Sequence, residues 1–144
     1  ISTARVVRLF GFEPKVAFVS HSTFGQPLTS RTKHIRKAVD ILKEKKVDFE
    51  FDGDMQPDVA LNLEYEELYP FSKIVGKANI LIMPGQHSAA ISYKMMKTLG
   101  ETKVIGPLLI GLGLPVEIAP LRTSTSEIIN LASISAYSAD VIDY

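Results

Sequence analysis

The side chains that could do chemistry in this chain fall in short polar runs, each placed directly after an apolar one. The run "SHSTFGQP" offers hydroxyls at Ser20, Ser22 and Thr23, an imidazole at His21 and a glycine. Such a loop either cradles a phosphate or nucleotide through backbone N–H groups and hydroxyls, or is a polar turn that bonds its own backbone. It has neither G-x-x-x-x-G-K-[ST] nor G-x-G-x-x-G, so composition favours the turn. The run "FDGDMQPD" sets carboxylates at Asp52, Asp54 and Asp58. A cation would need more ligands and the closing Glu of a calcium loop; Asp-Gly reads instead as a turn and Pro57-Asp58 as a helix start. In "MPGQHS", a strand gives way to Gly85, and Gln86, His87 and Ser88 stand at a helix start, where free N–H groups favour an anion, although an imidazole there also serves as a cap or surface residue. Finally, "RTSTSEII" places Arg122, Thr123 and Ser124 ahead of Glu127. Ser124-x-x-Glu127 has the form of a capping box, which explains both residues without catalysis. No G-x-S-x-G elbow supports a Ser–His–Asp triad, and His21, His34 and His87 lack metal spacing such as H-E-x-x-H.

Two alternating patterns must position these loops. The runs Lys15–Ser20, Phe49–Gly53, Asn79–Pro84, Leu108–Leu112 and Val116–Pro120 are rich in β-branched and apolar residues and read as buried strands. Between them the spacing is helical. Ile35, Val39 and Leu42 share one stripe behind a cap at Thr29 or Ser30. Ile91, Met95 and Leu99 share another, closed by Gly100, and Ile128, Leu131 and Ile134/Ser135 a third after Ser124. An opening helix runs from about Thr3 to Phe10 and stops before Gly11 and Pro14. The helix after the first loop carries Arg31, Lys33, His34, Arg36 and Lys37. That run is either a rim for an anionic ligand or a solvated face balanced by Asp40, Glu44 and Asp48, and the balance favours the face. Strands alternating with helices predict an α/β fold: three-layer α/β/α with a mainly parallel sheet, as one unit without repeats or linkers. In such sheets ligands bind outside the carboxyl ends of the strands, which is where the polar runs lie.

Composition narrows the partners. The chain has 144 residues, 46% of them hydrophobic, which is ample for one core. Its 16 Lys+Arg equal its 16 Asp+Glu, so no global field draws it to nucleic acid or to a membrane surface. No apolar run approaches bilayer length. With no cysteine there is no disulfide scaffold, thiolate metal site or cysteine nucleophile, which suits the cytoplasm. The first residue is Ile1 rather than Met, and the chain is read as a piece of a longer protein, so part of a site is expected outside it.

Taken in order, "EPKVAFVSHSTFGQP", "DFEFDGDMQPDVALN", "YPFSKIVGKANILIMPGQHSAAISYKMMKTLG", "VIGPLLIGLGLPVEI" and "IINLASISAY" resemble the phosphotransacetylase family across nearly the whole chain. The resemblance is closest to the phosphotransacetylase-like C-terminal region of bacterial hybrid NADP-dependent malic enzymes, and it covers the second lobe of a phosphotransacetylase unit. It implies a lead-in helix over 1–14, a lobe core over 15–120 and a closing helix over 121–144. It also implies a homo-oligomer, at least a dimer, with a cleft for acetyl-CoA or a related acyl-CoA and for inorganic phosphate. Ser20, Ser22, Thr23, Gly85, His87, Arg122, Thr123 and Ser124 are the expected ligand-binding residues. Active members carry Ser-Arg-Gly-Cys-Ser and a catalytic aspartate before the last helix. An ungapped match puts the serine on Pro120, the arginine on Leu121 and the aspartate on Glu127. Proline and leucine cannot stabilise an oxyanion. The resemblance therefore implies a regulatory, acetyl-CoA-binding, oligomerising region with no catalytic residue of its own. If the region is active as a phosphate acetyltransferase, Glu127, Arg122 and Ser124 are the residues expected to act. It binds no cofactor or metal itself on this reading; NADP and a divalent Mg or Mn ion would belong to an N-terminal malic enzyme domain in the same polypeptide.

Overall fold

The computed structural model of the chain describes residues 1–100 and 103–141. They form two compact units, one from Thr3 to Tyr93 and the other from Lys94 onward.

In the first unit, three parallel strands make a sheet in the order β2-β1-β3: β1 is Lys15–Val19, β2 Glu50–Met55 and β3 Ile80–Ile82. The central strand buries side chains on both faces, as a parallel strand between crossovers must. On one face, Ala17 and Val19 pack with Met55, Ala60, Ile74 and Ala78; on the other, Val16 packs with Phe51, Ile80, Ala4 and Val39. Helix α1 (Ser2–Leu9) contributes Ala4, α2 (Ser30–Glu44) contributes Val39, and the short α3 (Pro57–Leu61) contributes Ala60 to the opposite face. The fold is thus α/β, with helices on both sides of a parallel sheet.

Local chemistry sets the ends of these elements. The Thr29 hydroxyl accepts from Thr32 N while the Thr32 hydroxyl accepts from Thr29 N, a reciprocal capping box that starts α2. Proline at the first position of α3 lacks an N–H that would have had no partner. Arg8, in the last turn of α1, pairs with Asp48 at 2.8 Å, and Asp48 holds the Arg8 guanidinium above its ordinary pKa. The Asp-Gly pair is not the expected turn. Asp52 and Gly53 lie inside β2, where one Asp52 oxygen accepts from Gly53 N at 2.9 Å and the other from Lys73 N at 2.8 Å. The irregularity falls one residue later: Phe18 faces Gly53 but Val19 faces Met55, so Asp54 is the extra residue of a bulge.

Helix α4 (Gln86–Leu99) begins in the first unit and ends in the second, where Gly100 N donates to Met96 O at 2.9 Å. Its expected buried stripe is exposed: Ile91, Met95 and Leu99 are 59%, 55% and 77% accessible. Among the described residues no helix is long and apolar enough to cross a membrane.

The second unit also corrects the sequence reading. Leu108–Leu112 and Val116–Pro120 are not strands; their only described pairing is an isolated antiparallel bridge between Leu108 and Glu117. The cause lies in the backbone. Gly111 adopts φ 84, outside the extended region, and Pro107, Pro115 and Pro120 supply no ladder N–H. Helix α5 (Thr125–Val141) follows, with Leu131 buried and Ile128 half-exposed. The last three residues of the expected closing segment, 142–144, lie outside the described residues.

Candidate functional site

Two concave regions hold most of the expected ligand-binding residues, one in each unit. In the first unit, an open cleft of about 480 Å³ lies beyond the carboxyl ends of β1 and β3. Ser20 and His21 reach it from the end of β1, Arg31 and His34 from α2, and Gly85, His87 and Ser88 from the start of α4. This is the position in a parallel sheet where strands release their chain into loops and N–H groups of the next helix remain unpaired. Ser20 and Gly85 with His87, expected from the sequence, do come together. Ser22 and Thr23 are buried instead within the loop. Thr23 accepts from Gln56 N at 3.2 Å through its hydroxyl, while Ser22 Oγ has no hydrogen-bond partner. The loop is fastened to β2 by Ser20 N donating to Met55 O at 2.9 Å and Phe24 N donating to Asp54 O at 2.6 Å.

In the second unit, a smaller pocket of about 110 Å³ is lined by Arg122, Thr123 and Glu127 together with Lys97, Pro120 and Asn130. The loop before α5 is closed on itself. The Thr123 hydroxyl donates to the Pro120 carbonyl, as does Thr123 N at 3.0 Å. Ser124 and Glu127 form the capping box: Ser124 N and its hydroxyl donate to the Glu127 carboxylate at 2.8 and 2.9 Å, and Glu127 N donates back to Ser124 Oγ at 3.3 Å. Lys97 completes the arrangement at 3.0 Å from the other carboxylate oxygen. The Ser124 backbone N–H, then the Lys97 ammonium and the Ser124 hydroxyl, lower the Glu127 pKa to about 2. A carboxylate held so firmly by donors is a weak proton acceptor. Leu121 projects into solvent, fully exposed.

Lys97 was not singled out by the sequence, because its partner is 30 residues away. Arg31 and His34 were legible only as members of a charged helix face. Among the described residues, no group of His, Cys, Asp or Glu side chains is arranged to hold a metal ion.

The state of Glu127 can be measured directly. Because its folded pKa lies below the ordinary carboxylate value, the capping arrangement is fully stabilising above about pH 4.5 and is lost as pH falls toward 2. In a carbon-detected NMR titration the Glu127 carboxyl should titrate near 2, and Ser124→Ala should move that midpoint up toward the ordinary range. A midpoint near 4.5 in the unaltered protein would show that the donors do not hold the carboxylate in solution.

Comparison with known proteins gives a consistent result. The profile of the "phosphate acetyl/butaryl transferase" family matches residues 1–136. An NADP-dependent malic enzyme from Rhizobium meliloti is 48% identical over 136 residues, covering 94% of this chain and 18% of the relative. A phosphate acetyltransferase from Bacillus subtilis is 35% identical over 140 residues, covering 96% of this chain and 43% of the relative. Among solved structures, a phosphotransacetylase from Streptococcus pyogenes superposes with a TM-score of 0.89 at 34% identity, over 96% of this chain and 43% of that one. The chain thus spans less than half the length of each of these proteins.

Proposed function

The chain belongs to the phosphate acetyl/butaryl transferase family, and on that premise we propose that it is a regulatory, acetyl-CoA-binding region of an NADP-dependent malic enzyme, without acyltransferase activity of its own. The observation that carries this reading is the loop before α5. Where active members are expected to hold a serine and an arginine, this chain has Pro120 and a solvent-directed Leu121. Neither supplies a donor to an oxyanion, and such a loss costs orders of magnitude in rate. Glu127, at the position of the expected base, is held by Ser124 and Lys97 instead of being free to take a thiol proton. Its similarity to a malic enzyme at 48% identity supports the oxidoreductase parent. In this reading Ser20, Ser22, Thr23, Gly85, His87, Arg122, Thr123 and Ser124 serve ligand binding, directly or by shaping their loops. The lobe core at 15–120 and the closing segment at 121–144 form half of a regulatory domain in a cytoplasmic oligomer. NADP and a divalent Mg or Mn ion act in a separate N-terminal domain. Regulation requires that acetyl-CoA bind one state of the assembly more tightly than another.

A second reading is favoured by one feature: Arg122 and Glu127 line the same pocket. A working phosphate acetyltransferase would use Glu127 as base, with Arg122 and Ser124 holding the reacting carbonyl. The two readings separate in one experiment on the full-length protein. On the regulatory reading, acetyl-CoA raises the melting temperature and alters malate oxidation, while phosphate-dependent release of coenzyme A stays at background. At one hundred times its Kd the ligand should stabilise by about 2.7 kcal/mol. Turnover that disappears in Glu127→Gln would establish the transferase instead, and acetyl-CoA that changes neither melting nor malate oxidation would defeat the regulatory reading.

A further inference from the structure

We propose that an acidic, apolar groove beside α3 docks a basic, apolar segment of the malic enzyme domain carried on the same polypeptide. The groove belongs to the first unit and has a volume of about 120 Å³. Met55, Val59, Ala60 and Ile74 give it an apolar floor, and Tyr65 and Tyr69 wall it. Large apolar side chains stand out around it: Leu61, Leu63, Leu68, Phe71 and Val75 are between 43% and 65% accessible. A Leu63 methyl lies 3.8 Å from where a Cβ on Gly76 would sit, so the two banks are close together. Phe71 is already set edge to face with Phe24 at 4.8 Å between ring centres, and Tyr69 lies 5.5 Å from the same ring. An aromatic fixed before a partner arrives loses little freedom on binding.

Charge and area say what kind of partner fits. From Val47 to Ser72 the chain carries no lysine, arginine or histidine. Asp58, Glu64, Glu66 and Glu67 are exposed in this stretch, and among the described residues none of them forms an ion pair. A partner with cationic and apolar side chains matches both properties of the surface. The exposed parts of the five apolar side chains make roughly 500 Å², against the ~800 Å² that each partner of a free-standing complex buries. A tethered domain needs less, because the tether supplies a high effective concentration, and this favours the same polypeptide over a second copy. The groove also reaches the amino ends of the strands. Val75 N donates to the Glu50 carboxylate at 2.9 Å and Lys15 Nζ donates to the Val75 carbonyl, and these two residues open β2 and β1. That edge is opposite the cleft that the other half of a phosphotransacetylase unit is expected to close, which leaves the groove to a different domain. The inference rests on the proposed function for the presence of the malic enzyme domain.

The test is photochemical capture in the full-length protein, with p-benzoylphenylalanine in place of Phe71, whose ring is exposed. Irradiation should join it to a lysine- or arginine-bearing peptide of the malic enzyme domain. In a mixture of isotope-labelled and unlabelled protein, both peptides of each adduct should carry the same label. Glu64→Lys with Glu66→Lys and Glu67→Lys should lower the yield by on the order of tenfold, and so should Leu63→Asp with Leu68→Asp. All five side chains are exposed, so these variants should fold. The same probe at Ile41, exposed on α2 on the other face of the sheet, should not capture that peptide. The proposal is overturned by capture of this chain's own peptides alone, of a different subunit, or of the other half of the phosphotransacetylase unit. It is overturned equally by no adduct, or by a yield that charge reversal leaves unmoved. A missing adduct in a protein whose malate oxidation still responds to acetyl-CoA would sink the docking alone. An adduct in a protein whose malate oxidation ignores acetyl-CoA would sink the regulatory reading and leave the docking in place.

Discussion

Gly53→Ala should be the most damaging single-methyl change in the sheet, lowering stability by on the order of 3–4 kcal/mol. Gly53 lies opposite Phe18 in the β1–β2 register with φ 150, a conformation that side chains disfavour. A Cβ there would sit 2.7 Å from Phe18 Cβ and 2.7 Å from the Phe18 carbonyl oxygen. Neither can yield cheaply. β1 is the central strand, and Phe18 is paired with Gly53 on one side and Ile82 on the other, so moving it disturbs both edges. The damage should also reach the cleft beyond β1 and β3, because Ser20 N and Phe24 N are fastened to Met55 O and Asp54 O just beyond the glycine. Hydrogen exchange followed by mass spectrometry should show protection lost across residues 15–24 and 50–56. Gly113→Ala is the control: a Cβ there meets no atom within 4 Å, and stability should change by less than about 0.5 kcal/mol. A Gly53→Ala protein that melts with the parent would mean that β1 and β2 slide apart more readily than their burial suggests.

How far such features could be read in advance depends on whether their causes are local. A cap at Thr29, the capping box at Ser124, Pro57 opening α3 and the stop at Gly100 are written within a few residues and were legible. So were β1 and β2, whose apolar character reports burial on both faces. The same signal misled where apolar residues are not buried. Leu109, Ile110, Leu112 and Val116 suggested strands, but Gly111 and the flanking prolines prevent pairing and these side chains are accessible. The stripe of α4 failed for the related reason that amphipathic spacing states which residues share a face, not what covers that face. Asp52-Gly53 misled in the opposite direction, since a turn signal can also mark the close approach of two backbones at a bulge. The candidate site was legible in its parts and not in its assembly. His87 was visible at a helix start and His34 on a charged helix, but only the parallel topology brings them to one cleft with His21.

Replacing Asp54 with asparagine should make the protein more stable, by about 1–3 kcal/mol, although it removes an acid and adds no contact. Asp54 is 0% exposed, and neither of its carboxylate oxygens has a hydrogen-bond donor; Ser22 Oγ is likewise buried without a partner. Asp52, one residue before the glycine, shows the contrast, because its buried carboxylate is satisfied by two backbone N–H groups. An acid taken out of water without donors costs free energy that packing alone does not return, and asparagine keeps its shape without being an acid. Urea unfolding of Asp54→Asn, followed through the same exchange-resolved segments, decides the matter. A higher midpoint would mark Asp54 as a strain tolerated at the bulge. A lower one would mean that a donor reaches the carboxylate in the full-length protein, because breaking a buried charged pair costs several kcal/mol and asparagine could not replace it. In that case the bulge would be an anchoring point for the Ser20–Thr23 loop, and the shape of the cleft beyond β1 and β3 would depend on a single buried acid.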